Sequence, residues 1–178
     1  DLPEEHFVTA FFGVLAVATH RVTYHAAGQG PLLHFQAATG ACRWLSPTTF
    51  PLGFMKYPQV DPAQQIELAP GDILGLITDG VFECENPSGE MFGTEGVEQV
   101  LRTRHEGSMS GLLARLLQAV HVFADGQAQL DDITIVLLAR SGETAGRTTV
   151  QCYFPRTFDS LDGIFRFVGD FLAARSLD

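Results

Sequence analysis

Two places in the chain put aspartates where an apolar run meets a turn. Asp79 follows Ile73-Leu-Gly-Leu-Ile-Thr78 and is itself followed by Gly80. Asp131 and Asp132 precede Ile133-Thr-Ile-Val-Leu-Leu138. A carboxylate at the end of a buried strand is expected to be rigidly placed and partly desolvated, which costs free energy unless hydrogen bonds or a cation offset it. Hard divalent cations such as Mg²⁺ and Mn²⁺ take carboxylate and water oxygens, so a gathering of aspartates suits them. Gly80 would let the backbone turn close beside whatever Asp79 holds. Taken singly, each aspartate also fits a plainer role, Asp79 capping a turn and Asp131 or Asp132 capping a strand entry.

The other reactive side chains add little to a metal case. His6, His20, His25, His34, His105 and His121 show no HxxxH or HxH spacing, and most of them read as surface or strand-face residues. Glu83, Glu85 and Glu90 form an acidic run just past Asp79 that a solvated loop explains, with Phe92-Gly93 closing it onto the core. The three cysteines, Cys42, Cys84 and Cys152, are odd in number and lack a CxxC. That argues against a disulfide framework or a thiolate zinc site, and points to reduced thiols in a cytoplasmic protein. No GxSxG, GxGxxG or GxxxxGK[ST] is present.

The elements that must position the aspartates can be read from periodicity. Phe7 to Ala18 is rich in Phe, Val and Thr and reads as a strand buried on both faces. Arg21 to Ala27 alternates, with Val22 and Tyr24 on one side and Thr23 and His25 on the other, so the two form an expected hairpin. Shorter strands follow at Leu32 to Gln36, around Arg43 to Leu45, and at Gln65 to Leu68. Ala69-Pro70-Gly71-Asp72 is a strong turn signal before the strand Ile73 to Thr78. Helical spacing appears at Glu95 to Arg104 and more clearly at Ser108 to Ala124. The strand Ile133 to Leu138 comes after them, so the class is α+β with antiparallel strands. Residues 142–149 read as a linker. A strand at Val150 to Phe154 and a helix from about Ser160 read as the start of a second domain, or as a strand and helix appended to the first.

Composition bounds the rest. The 178 residues are 46% hydrophobic and 18% charged, which excludes a disordered chain. With 11 basic against 21 acidic residues the net charge is -10, so no basic footprint for nucleic acid or an anionic membrane is expected. The apolar run at Phe7 to Ala18 is too short to span a bilayer. The opening Asp-Leu-Pro-Glu-Glu has no basic region of a signal peptide, and the early apolar run is expected of a chain that starts partway through a fold.

A series of short motifs occurs in one order. It runs Phe7-Val8-Thr9 with Phe12-Gly13, Ala27-Gly28-Gln29-Gly30-Pro31, Pro51-Leu52-Gly53 and Leu68-Ala-Pro-Gly-Asp72. It continues with Thr78-Asp79-Gly80-Val81-Phe82-Glu83, Phe92-Gly93 and Asp131-Asp132-Ile133-Thr134. This series resembles the C-terminal part of the bacterial SpoIIE-type serine phosphatases, members of the metal-dependent type 2C (PPM) superfamily, over residues 7 to 139. The resemblance implies an α/β/β/α sandwich of two antiparallel sheets, incomplete at its N-terminus and spanning residues 1–141. It implies a binuclear Mn²⁺ or Mg²⁺ site with Asp79 and Asp131 as metal ligands and catalytic residues. Gly80 would shape the turn of that site, and Asp132 would be a supporting or additional ligand. It also implies a phosphorylated anti-anti-sigma factor as substrate, an N-terminal receiver or sensor domain as controller, and signalling by partner switching. Substrate contacts are not assigned by it, and a homodimer is compatible with it. Residues from about 150 resemble, more briefly, the opening of an anti-sigma-factor kinase of the GHKL ATPase type, through Phe154-Pro155, Leu161, Ile164, Phe167-Val168 and Phe171.

Two departures from the family pattern stand out. Gln29 occupies the histidine position of the family's Ala-Gly-His turn. The family's further metal aspartates, in a Gly-Asp pair and an Asp-Val-Ser-Gly-His-Gly stretch, have no counterpart in this chain. The 178 residues alone are therefore expected to hold only part of the ligand set and to bind metal poorly. The competing expectation is a pseudophosphatase that has lost its chemistry and serves as a partner-binding scaffold.

Overall fold

The computed structural model describes residues 7–55, 61–103, 108–141 and 148–153. Their strands are β1 (Ala10–Ala16), β2 (Arg21–Ala27), β3 (Leu32–Gln36), β4 (Ala41–Leu45), β5 (Gln64–Glu67), β6 (Ile73–Ile77), β7 (Ile135–Arg140) and β8 (Thr148–Tyr153). The helices are α1 (Asp79–Phe82), α2 (Gly93–Arg102) and α3 (Met109–Ala124), all between β6 and β7. The strands form two antiparallel sheets, one in the order β1-β2-β5 and one in the order β4-β3-β6-β7-β8. This is the expected sandwich, with the helices layered on the outer face of the larger sheet.

The period of two along the strands builds two cores. On β3, Leu32 points between the sheets, while Leu33 and Phe35 point toward the helices. On β6, Leu74 joins the inter-sheet core and Ile73 and Ile77 join the helical one. β6 is buried on both faces, which is why it reads as an unbroken apolar run. The helical core is completed by Val81 of α1, Val97 and Leu101 of α2, and Leu112, Leu116 and Val120 of α3. Each fully buried leucine there contributes roughly 1.5–3 kcal/mol relative to exposure.

β1 departs from expectation. It pairs with β2 as a hairpin, but it is an edge strand and is not buried on both faces. Phe11 and Leu15 face the inter-sheet core, whereas Phe12 and Val14 are 59% and 63% exposed. Being apolar on both sides made it look doubly buried. The smaller sheet is covered on one face only among the described residues.

β8 pairs with β7 from Ile135↔Tyr153 to Arg140↔Thr148 and so extends the larger sheet. It begins at Thr148, two residues before the expected strand. The expected helix from about Ser160, and most of the expected linker, lie outside the described residues.

The turn before β6 holds a buried histidine–aspartate hydrogen bond. Gly71, at φ +85°, supplies the left-handed conformation that a side chain resists. Asp72 is then turned inward, where its Oδ2 lies 3.1 Å from His34 Nε2. The backbone N–H of Ala37 donates to Oδ1 at 2.9 Å, and that of Ala69 donates to Oδ2 at 3.1 Å. His34 is on a strand face, as expected, but that face is buried, and Asp72 does more than begin a strand.

Candidate active site

The aspartates come together because β6 and β7 are neighbours. The ladder ends at Ile77↔Ile135, so the residues just beyond it on each strand emerge at the same end of the sheet. Thr78 fastens them. Its backbone N–H donates to Thr134 O at 3.0 Å, its hydroxyl donates to Asp132 O at 3.0 Å, and the hydroxyl oxygen accepts from Thr134 N–H at 2.8 Å. A single hydroxyl thus ties the entry to α1 to the segment carrying Asp131 and Asp132.

Gly80 is the second fastening. A Cβ built on it would lie 2.5 Å from Asp132 O, 3.0 Å from Asp132 C and 3.1 Å from Asp131 O. These are backbone atoms that cannot rotate aside. The glycine is needed for this close approach. We expect Gly80→Ala to push the 131–132 segment away and to destabilise the fold by about 1–3 kcal/mol, as overpacking does. Urea denaturation would register the loss as a lower midpoint. An unchanged midpoint would mean that the two segments are not pressed together.

Asp79 opens α1, and its Oδ1 accepts from the N–H of Gly80 at 3.1 Å. Asp131 repeats the pattern, its Oδ1 accepting from Asp132 N–H at 2.7 Å, while its carbonyl accepts from Gln129 Nε2 at 2.8 Å. Asp79, Asp131 and Asp132 are all exposed. The partial desolvation expected of strand-end carboxylates is therefore not found. β6 stops at Ile77, and α1 buries Gly80 and Val81 while leaving Asp79 on the solvent side.

A third segment reaches the same end. Gln29, in the turn between β2 and β3, extends its Nε2 to within 3.5 Å of Ile77 O. From the sequence Gln29 is only a departure from a motif. In the sequence Thr78 marks the end of a strand and opens the Thr-Asp-Gly motif, with no role of its own. The one available signal for Thr78 was its place immediately before Asp-Gly at a strand end.

The acidic run past Asp79 is a solvated hairpin, as expected. Asn86 N–H donates to Glu90 O at 3.0 Å, Asn86 Nδ2 donates to Glu90 Oε2 at 2.8 Å, and Phe92 returns to the core against Phe123. A cavity of about 460 Å³ opens between this hairpin, α3 and the loop leading to Asp131. Cys84 lies in its wall, and burial pushes that thiol up from its usual range. The Cys42 thiol is pushed up mainly by burial, with the Glu98 carboxylate adding to the shift. Both are free thiols.

The donor chemistry fits a hard divalent cation, since the exposed groups gathered here are carboxylates. The number of donors is short. Among the described residues no group of three or more His, Cys, Asp or Glu side chains is set to hold an ion.

Two stacked antiparallel sheets, with three helices inserted between β6 and β7 of the larger one, form the fold seen in PP2C-type phosphatase domains. The chain belongs to the SpoIIE family. Residues 1–141 match the family model described as Stage II sporulation protein E. Protein IcfG of Synechocystis sp. is 28% identical over 144 residues, covering 76% of this chain and 21% of that protein. The chain thus spans about a fifth of that relative's length. The phosphatase domain of the cell-fate determinant SpoIIE from Bacillus subtilis superposes with a TM-score of 0.58 at 14% identity, over 76% of this chain and 58% of that one. The RsbU and RsbW domains of Rv1364c from Mycobacterium tuberculosis superpose with a TM-score of 0.53 at 19% identity, over 96% of this chain and 46% of that one. These two likenesses speak for the fold. No helix among the described residues is long and apolar enough to cross a membrane.

Proposed function

We propose that this chain contributes Asp79 and Asp131 to a metal-dependent phosphoserine phosphatase site. The observation that carries this reading is the double fastening by Thr78 and Gly80, which brings two stretches more than fifty residues apart to one end of one sheet. Asp79 and Asp131 would hold Mn²⁺ or Mg²⁺, with Asp132 supporting them. In this superfamily the bound pair of ions supplies an activated water and neutralises charge on the phosphoryl group. The chain's own part is positional. Thr78 fixes the spacing between the two carboxylates' backbones. The N–H groups of Gly80 and Asp132 orient the Oδ1 atoms of Asp79 and Asp131. Solvent exposure leaves the carboxylates open to ions and to a protein-borne phosphate.

The substrate that family membership favours is a phosphorylated anti-anti-sigma factor, with an N-terminal receiver or sensor domain controlling access to the site. The likeness to a chain holding RsbU and RsbW domains supports a partner-switching setting. The same likeness is compatible with residues 150–178 beginning a kinase-like domain. The pairing of β8 with β7 favours the alternative, an appended strand and helix. The pseudophosphatase reading rests on Gln29, which stands beside Ile77 in place of the family's histidine.

The test is Mn²⁺-dependent release of phosphate from a phosphoserine protein by the full-length protein. Release that stops on chelation and returns with Mn²⁺ supports the enzyme. Binding of the phosphoprotein without release supports the scaffold.

A further inference from the structure

The cavity beside the aspartates has a composition of its own. Leu117, Val120 and Ile133 form an apolar floor. Met91 and Leu130 also line it, and they are 60% and 85% exposed. Large apolar side chains held out to solvent around a hollow mark a place where another molecule binds. Glu83, Glu85 and Asp131 also line it, and no lysine or arginine does among the described residues. A volume of about 460 Å³ lies within the range of roughly 300–1,000 Å³ typical of binding pockets.

The cavity is continuous with the candidate active site, because Gly80 and Asp131 belong to both. Whatever presents a phosphate to Asp131 passes this hollow. We infer that the cavity receives an apolar side chain of the phosphoprotein substrate, flanked by a lysine or arginine that meets Glu83 and Glu85. This rests on the phosphatase reading and adds a rule for substrate choice. The apolar floor supplies affinity. The carboxylates supply orientation and speed of encounter, and reject acidic flanks.

The experiment uses the full-length protein and two phosphoserine peptides of equal length. One carries leucine and arginine beside the phosphoserine, and the other carries alanine and glutamate. The wild type should favour the first by roughly tenfold in kcat/KM, the size of effect a single apolar pocket gives. Ala128→Trp, on the exposed loop at the cavity wall, should bring the ratio close to one. Glu85→Lys should lower it, and added salt should lower it in the wild type by screening. No preference in the wild type, or full preference retained in both variants, would overturn the inference. So would a dimer that A128W turns into a monomer with the preference intact, since the cavity would then belong to a second copy. Should the wild type hydrolyse neither peptide nor p-nitrophenyl phosphate, the phosphatase reading fails. Anisotropy of the two peptides, fluorescein-labelled, then judges the cavity by itself: tighter binding of the first upholds it, and equal binding overturns it.

Discussion

Asp79→Ala and Asp131→Ala, each made in the full-length protein, should reduce Mn²⁺-dependent phosphate release by roughly a thousandfold or more, about 4 kcal/mol in the barrier. The two losses should not add. Both carboxylates serve one site, and removing either leaves the other unable to do its work alone. Both are exposed, and each makes only a short hydrogen bond to the next backbone amide. The variants should therefore remain folded, and stability should change by no more than about 1 kcal/mol. Asp132→Ala should cost less activity than either. Colorimetric phosphate release, with denaturation run in parallel, separates these effects. Full activity in both Asp79→Ala and Asp131→Ala would remove the assignment. A fall in activity that tracks a fall in stability would make the aspartates turn caps.

Asp72→Ala should give the reverse pattern, a large loss of stability from a residue outside the candidate site. Its carboxylate accepts two backbone N–H groups and faces His34, all within the protein. Asp72 and His34 are 3% and 5% exposed, so water cannot take over the lost bonds. Leaving buried donors without their acceptor costs about 1–3 kcal/mol for each, and Asp72→Ala strands two backbone N–H groups besides the His34 contact. That is a large share of the roughly 5–15 kcal/mol that holds a domain together. Asp72→Asn keeps the shape and one acceptor, and should cost less. Glu67→Ala is the useful contrast. Its ion pair with Arg21 is 3.7 Å long and exposed on both sides, so it should change stability by about 0–1 kcal/mol. Urea denaturation of the three variants would show this order. A midpoint for Asp72→Ala equal to that of the wild type would show that the buried pair is not holding β3 to the turn before β6.

The two strand ends that carry the aspartates were legible in the sequence because they are punctuation. An apolar run that stops at Asp-Gly and another that begins after Asp-Asp are visible without a structure, and strand adjacency then brings them together. The means of joining was not legible. Thr78 reaches residues more than fifty positions away, and nothing in local spacing announces a hydroxyl bonded across a sheet. The buried Asp72–His34 pair was missed for the same reason, since its partners are 38 residues apart and the Pro-Gly-Asp signal was fully explained by a turn. α1 was missed because four residues are too few to show a helical period. β1 was misplaced because apolar residues on both faces imitate a central strand. The cavity comes from three separate segments, and its shape exists only in the fold.

The claim beneath all of this is that the carboxylates of Asp79 and Asp131 share divalent metal. Anomalous scattering from Mn²⁺-soaked crystals of the full-length protein tests it most directly. The account predicts peaks within about 2.0–2.6 Å of carboxylate oxygens of both residues. Manganese bound elsewhere, with both side chains still turned only to their neighbouring amides, would contradict it.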